Sequence, residues 1–248
     1  MAEQSLYIPK SAMAIVAHPD DIEFSCVGTL ALWARSGAQI SYVLCTSGDV
    51  GIAEPGMTKE RATQIREEET RYAAQIAGVT DIVFLREPDG LLQPSLDVRK
   101  KIVREIRRFK PEVVITGDPT MFLSGDTYIN HPDHRAASTA ALDAVFPAAG
   151  QPNLFQELEE EGFYAHKVRK VYIYSRHQTG IHINIDDTFD IKLKALLAHK
   201  SQFPNWDPTP RVTNWAKELA KDFDFQYAET FRVITLVDDE TWLKTHQL

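Results

Sequence analysis

Short apolar runs separated by longer helical patterns constrain this chain more than any other feature. Ala12-Met-Ala-Ile-Val-Ala17 is apolar at every position and Val113–Thr116 nearly so, the pattern of strands buried on both faces. Ile40–Cys45 and Ile82–Leu85 are strands of the same kind. Between them lie helix patterns with recognisable ends: Ile22–Ser36 stopped by Gly37, Lys59–Ala77 between an N-cap Thr58 and Gly78, Leu96–Lys110 capped by Ser95, and Pro132–Phe146. This alternation predicts an α/β, Rossmann-like core over about residues 12–146, a mostly parallel sheet with helices on both faces. After Phe146 the rhythm breaks. Pro147–His166 is irregular, with an acidic stretch at Glu157–Glu161. Val171–Tyr174, Ile181–Ile185 and Phe231–Val237 are strand candidates, and Phe189–Lys200 and Arg211–Lys221 helix candidates. The expectation is an irregular α+β C-terminal extension over 147–248. With no repeat, low-complexity tract or linker, residues 1–248 read as a single domain.

Charge narrows the function classes. Lys plus Arg number 27 against 35 Asp plus Glu, a formal net charge of −8. A nucleic-acid-binding domain would show a basic face, and the densest basic run here, Arg99-Lys100-Lys101 with Arg104, Arg107 and Arg108, reads as the solvated face of a helix. Met1–Lys10 has neither the basic nor the apolar region of a signal peptide, and no apolar run approaches the roughly 20 residues of a membrane span. Cys26 and Cys45 both sit in apolar stretches and suggest a reducing compartment. The expectation is a cytoplasmic protein with no nucleic-acid partner and no membrane span. The C-terminal segments are candidates for packing against a second copy, so a homo-oligomer stays open.

Open parallel sheets build their sites beyond the carboxyl ends of the strands. There the chain places His18-Pro19-Asp20-Asp21-Ile22-Glu23 after the first strand and His131-Pro132-Asp133-His134 after the fourth strand and its loop, Gly117–Asn130. Each cluster sets metal-ligand types three residues apart, His18 with Asp21 and His131 with His134. Two imidazoles and a carboxylate drawn from both clusters make a three-ligand site with an open position, the arrangement of a catalytic Zn²⁺, although Fe²⁺ accepts the same donors. Singly, each cluster is equally well read as a loop histidine and a helix-capping aspartate.

Ala17-His18-Pro19-Asp20-Asp21-Ile22-Glu23 joined to His131-Pro132-Asp133-His134 resembles the LmbE/PIG-L family of zinc-dependent sugar N-deacetylases. Thr46-Ser47-Gly48-Asp49, Ile65-Arg66-Glu67-Glu68-Glu69, Pro88-Asp89-Gly90 and His199-Lys200-Ser201-Gln202 extend the similarity through most of the chain. The resemblance implies a hydrolase that removes acetyl from the amino group of an N-acetylglucosamine-like sugar or glycoconjugate. It implies His18, Asp21 and His134 as metal ligands and Asp20 as the general base that takes a proton from the attacking water. His131 would be the general acid or oxyanion stabiliser, donating in its protonated form, with Asp133 holding its ring. Arg66 and Asp89 would lie near the substrate, with a surface pair to Glu69 as the plain alternative for Arg66 and an ordinary Asp-Gly turn for Asp89.

Two departures stand out. Ile129 occupies a position where some relatives carry a tyrosine, with Tyr128 one residue further back, and Asp49 stands where a glutamate is usual. His166, His177, His182 and His246 lack partners at ligand spacing and read as structural or surface residues, and His199 as a helix C-terminal histidine favoured by the dipole. Of the aromatic residues Tyr172, Tyr174, Trp206 and Trp215, most are expected in the core. Two other classes stay open: a zinc amidase acting on a thiol conjugate or other N-acyl amine, and a non-catalytic nucleotide- or sugar-binding α/β protein. The latter is disfavoured because the first crossing lacks a Gly-x-Gly-x-x-Gly phosphate cradle.

Overall fold

The two-faced apolar strands form the centre of one sheet. The computed structural model of the protein describes residues 7–174 and 180–246. Its first half runs β1 (Ser11–Val16), α1 (Asp21–Ser25), α2 (Val27–Arg35), β2 (Gln39–Thr46), α3 (Lys59–Ile76), β3 (Asp81–Glu87), α4 (Leu96–Phe109) and β4 (Val113–Thr116). A small hairpin, β5 (Leu123–Ser124) and β6 (Tyr128–Ile129), interrupts the expected loop and leads into α5 (Pro132–Val145). Strand alternation sends Ala12, Ala14 and Val16 to a core shared with α2 and α3, and Met13 and Ile15 to a second core shared with α4 and α5. Helices therefore cover both faces. Fully buried branched residues such as Ile15, Ile102 and Ile106 each contribute about 1.5–3 kcal/mol to this packing. The expected caps are present: Thr58 accepts from Arg61 N–H, and Ser95 from Val98 N–H.

The C-terminal half is more regular than its sequence suggests. It runs α6 (Gln156–Glu160), β7 (Lys170–Tyr174), β8 (Ile181–Asn184), α7 (Phe189–Leu196), α8 (Thr209–Ala220), β9 (Ala228–Thr235) and α9 (Asp239–His246). The sheet order is β3-β2-β1-β4-β7-β9-β8. β7 pairs parallel to β4, while β9 runs antiparallel to both β7 and β8. The extension thus continues the same sheet. All three strand candidates of this half form, with β9 beginning at Ala228 rather than Phe231 and β8 at the sheet edge. Among the described residues no helix is long and apolar enough to cross a membrane.

Three further expectations are corrected. The helix expected over Ile22–Ser36 breaks at Cys26, which takes φ −140° and ψ 4°. α2 restarts there because the Glu229 carboxylate, from β9, accepts the Gly28 and Thr29 amides at 3.0 and 2.7 Å. The helix expected over Phe189–Lys200 ends at Leu196, and a 3₁₀ turn, Lys200–Gln202, follows. Arg107 does not belong to a solvated face: it is buried and donates to the carbonyls of Ala148, Gln151 and Leu154 at 3.2, 2.8 and 2.9 Å. Its neighbours on α4 behave as expected; Lys100 and Arg104 pair with Glu157 and Glu161 of the acidic stretch.

Candidate active site

The chain turns at β1: β2 and β3 lie to one side of it and β4 to the other. A crevice opens at such a switch point beyond the strand ends, and both His/Asp clusters meet there. His18 follows β1 directly. The β4 excursion returns through the hairpin so that α5 begins at the same rim, with His131 as N-cap and Pro132 in the first turn.

His18 is buried at the centre. Its Nε2 lies 3.0 Å from Asp89 Oδ1 and 3.3 Å from Asp133 Oδ2, and its Nδ1 lies 3.7 Å from Asp21 Oδ2. Asp133, wholly buried, also accepts the amides of Gly90 (2.7 Å) and Leu92 (3.3 Å). A carboxylate with those partners is ionised, so Asp133 accepts from His18 Nε2–H, and Nδ1, on the Asp21 side, is the nitrogen that would be free to bind a cation once its proton is displaced. Burial disfavours charge on His18, but Asp133, Asp21 and Asp89 outweigh it and hold its pKa up at about 12.

The second imidazole is oriented by a residue the sequence reading missed. Asn130 Nδ2 donates to Met121 O at 2.9 Å, which fixes the amide and turns Oδ1 toward His134 Nδ1 at 3.3 Å. His134 Nδ1 is therefore a donor to Asn130, and its Nε2, 3.0 Å from Asp21 Oδ1, is the nitrogen that would be available to a cation. The four-residue spacing of Asn130 and His134 was the available signal. Asp21 Oδ2 accepts the His18 amide at 2.8 Å, and the His134 and His18 imidazoles hold the Asp21 carboxyl well below its usual range against the opposing effect of burial. Ligating atoms of His18, Asp21 and His134 all lie within 4.8 Å of one another. Positive charge at this point is supplied by protons on the imidazoles or by a cation that replaces them, and two imidazoles with a carboxylate are a donor set that fits a divalent cation. His18, His131 and Asp133 form a second close group, but Asp133 and His131 Nδ1 are already occupied by amide donors.

Asp20 heads α1 at φ 87°, where it forms no side-chain cap. Its Oδ2 lies 3.3 Å from Arg66 NH2, which also donates to Pro19 O at 2.6 Å. Burial pushes the Asp20 pKa up to about 6, with Arg66 pulling down and Asp21 pushing up. Arg66 is buried, and Glu69 bonds Ser201 instead, so the surface pair does not form. The guanidinium lies over Gly48 and Gly51; a Cβ at Gly51 would fall 2.3 Å from NH1. Asp89 is held by Val50 N–H at 3.3 Å, and its own amide donates to Asp49 Oδ1 at 3.0 Å.

Asp133 does not hold the His131 ring through its carboxylate. Its amide donates to His131 Nδ1 at 3.2 Å, which leaves the ring hydrogen on Nε2. Burial and the His18 and His134 imidazoles lower the His131 pKa, which disfavours the protonated form. His199 lies beyond the end of α7 rather than in its last turn, and it is wholly buried, with Nε2 3.2 Å from Glu23 Oε2. His166 Nε2 lies 2.8 Å from Pro111 O, the His182 ring packs at a tilt against Phe223, and His177 lies outside the described residues.

A cavity of about 530 Å³ opens over the cluster, lined by His18, Asp20, Arg66, Asp89, His131 and Gln202 among others. Tyr128 lines it, while Ile129 points to solvent. Trp206 and Trp215 line it too, while Tyr172 is buried in the core and Tyr174 packs against that core and lines an adjoining cavity.

Residues 13–145 match the family model for PIG-L, GlcNAc-PI de-N-acetylase. The chain belongs to the PIG-L family. It is 32% identical over 230 residues to a diacetylchitobiose deacetylase of Thermococcus kodakarensis, covering 91% of this chain and 83% of that one. A probable N-acetyl-alpha-D-glucosaminyl L-malate deacetylase of Bacillus anthracis is 28% identical over 89% of this chain and 90% of its own. Among solved structures, the N,N'-diacetylchitobiose deacetylase of Pyrococcus horikoshii superposes with a TM-score of 0.84 at 27% identity, covering 92% of this chain and 84% of that one. GalB of Pseudomonas putida, a 4-carboxy-2-hydroxymuconate hydratase, shares the fold with a TM-score of 0.75 at 21% identity, over 92% and 98% of the two chains. PIG-L membership therefore fixes the scaffold, and the reaction must be argued from the site.

The Asp133 contact yields one expectation. Asp133→Asn keeps the shape but removes the ionised acceptor that sets the His18 tautomer. Metal affinity should fall about 10–100-fold, read by competition with a chromogenic chelator.

Proposed function

We propose that this PIG-L protein is a metal-dependent hydrolase that removes the N-acetyl group from an N-acetylglucosamine-type sugar or glycoconjugate and releases acetate. The observation that carries the reading is the convergence of His18 Nδ1, His134 Nε2 and the Asp21 carboxylate beside Asp20 at the floor of one cavity. His18, Asp21 and His134 would hold the cation, Zn²⁺ or Fe²⁺ by donor type. A cation held there would supply Lewis-acid polarisation of the acetamide carbonyl and a more acidic water.

The chain's own residues do the rest. Asp20 takes a proton from the attacking water as the new C–O bond forms; a carboxylate displaced toward neutrality suits that task. Arg66 keeps the Asp20 carboxylate turned into the cavity. His131 Nε2–H donates to the oxygen of the tetrahedral species without needing a second proton. When the C–N bond breaks, Asp20 returns its proton to the leaving amine, and acetate and the free amino sugar depart. Asp89 and Asp133 position His18, and Asp89 also faces the cavity, where it can accept a sugar hydroxyl.

The test is acetate release from N-acetylglucosamine and N,N'-diacetylchitobiose by the purified full chain. Chelation should abolish it and added Zn²⁺ restore it. An unchanged rate after chelation would overturn the metal, and acetate from neither sugar would overturn the substrate class. Release of amine from a thiol-conjugate amide alone would favour the amidase alternative.

A further inference from the structure

The turn after α7 carries a hydrogen-bond relay whose free end faces the reaction cavity. Glu69, on α3 one turn beyond Arg66, accepts twice from Ser201: from the backbone N–H at 2.8 Å and from Oγ–H at 2.6 Å. Ser201 Oγ has a single hydrogen, and Glu69 takes it. The hydroxyl can then only accept from Gln202, whose amide lies 3.0 Å away, so the atom facing Ser201 is Nε2. This logic fixes the orientation of an amide that is otherwise ambiguous. Gln202 lines the cavity together with Asp20, Arg66 and His131, and among the described residues its Oε1 accepts no hydrogen bond. The turn itself is anchored by the buried His199–Glu23 pair at 3.2 Å, so the relay stands on two fixed elements, α1 and α3.

A side-chain acceptor held by its own amide nitrogen has lost its rotational freedom before any ligand arrives. In the proposed reaction the acetamide lies over Asp20, His131 and the ligand cluster at the cavity floor. The donor left for Gln202 is a hydroxyl elsewhere on the same molecule. We propose that Gln202 is a specificity-determining residue that accepts a hydrogen bond from a ring hydroxyl of the amino sugar, set in place by Ser201 and Glu69. The inference rests on the deacetylase reading and adds to it what the cavity wall recognises.

The experiment compares N,N'-diacetylchitobiose with monodeoxy analogues of its N-acetylglucosamine residue. The wild-type chain should turn over one analogue about tenfold or more less efficiently than the parent, through KM, because a fixed acceptor is left unpaired. Gln202→Leu should lose a similar factor on the parent and no longer distinguish that analogue. Ser201→Ala should keep a weakened discrimination, since Gln202 can then rotate; it carries the test if Gln202→Leu does not fold. A common loss on parent and all analogues, or no loss, would overturn the proposal while leaving the deacetylase reading intact. No acetate from any sugar by the wild-type chain would instead overturn both.

Discussion

Asp20→Asn should leave the metal in place and remove all but about one part in 10²–10⁴ of the turnover, the range expected for loss of a general base. The substitution preserves shape, and asparagine tolerates the left-handed φ of 87° that position 20 adopts. It also leaves untouched the atoms that form the metal cluster, because Asp21 reaches His134 while Asp20 reaches Arg66. The two neighbouring aspartates are separated by the turn into α1, which sends one carboxylate to the cluster and the other to the cavity. Metal content and acetate release measured on the same preparation separate the roles. If Asp20→Asn lost its metal along with activity, Asp20 would be a ligand and the assignment of the base would be wrong.

Glu229→Ala should cost about 3–5 kcal/mol of stability, the range for removing one partner of a buried ion pair. Glu229 and Lys192 are both buried, 2.7 Å apart, and Glu229 also takes the two amides that start α2. The variant leaves an ammonium in the interior and two amides without acceptors. For a chain of this size the melting temperature should fall by roughly 10 °C. Lys192→Met should cost less, because Glu229 would keep both amides. The comparison by thermal denaturation matters for function, since Lys192 also reaches Phe24 O in the short helix that begins with Asp21. Equal stability of Glu229→Ala and wild type would show that the extension does not brace the site.

The parallel core was legible because its strands are buried on both faces and their residues are apolar almost throughout. β4 was read at its observed bounds and β1 within one residue at either end. The meeting of the two His/Asp clusters was legible because both lie on strand-to-helix crossings at the same edge of one parallel sheet. What escaped the sequence was tertiary. Cys26 sits inside a good helical pattern, and only Glu229, some 200 residues away, explains the break. Arg107 looked like one more surface base on α4 until the carbonyls of the 148–154 segment closed over it. Asp133 and Asp89 were read by their neighbours in sequence, as a brace for His131 and a substrate contact, while their carboxylates converge on His18. Asn130 and Gln202 are ordinary amides in sequence and acquire meaning only from the partner that fixes each orientation.

Elemental analysis of the purified protein tests most directly whether His18, Asp21 and His134 share one cation. The wild-type chain should carry about one equivalent of zinc or iron. Asp21→Ala and His134→Ala should carry essentially none and release no acetate, while circular dichroism shows them folded. Metal retained at full stoichiometry in both variants, or acetate released by metal-free protein, would contradict the account.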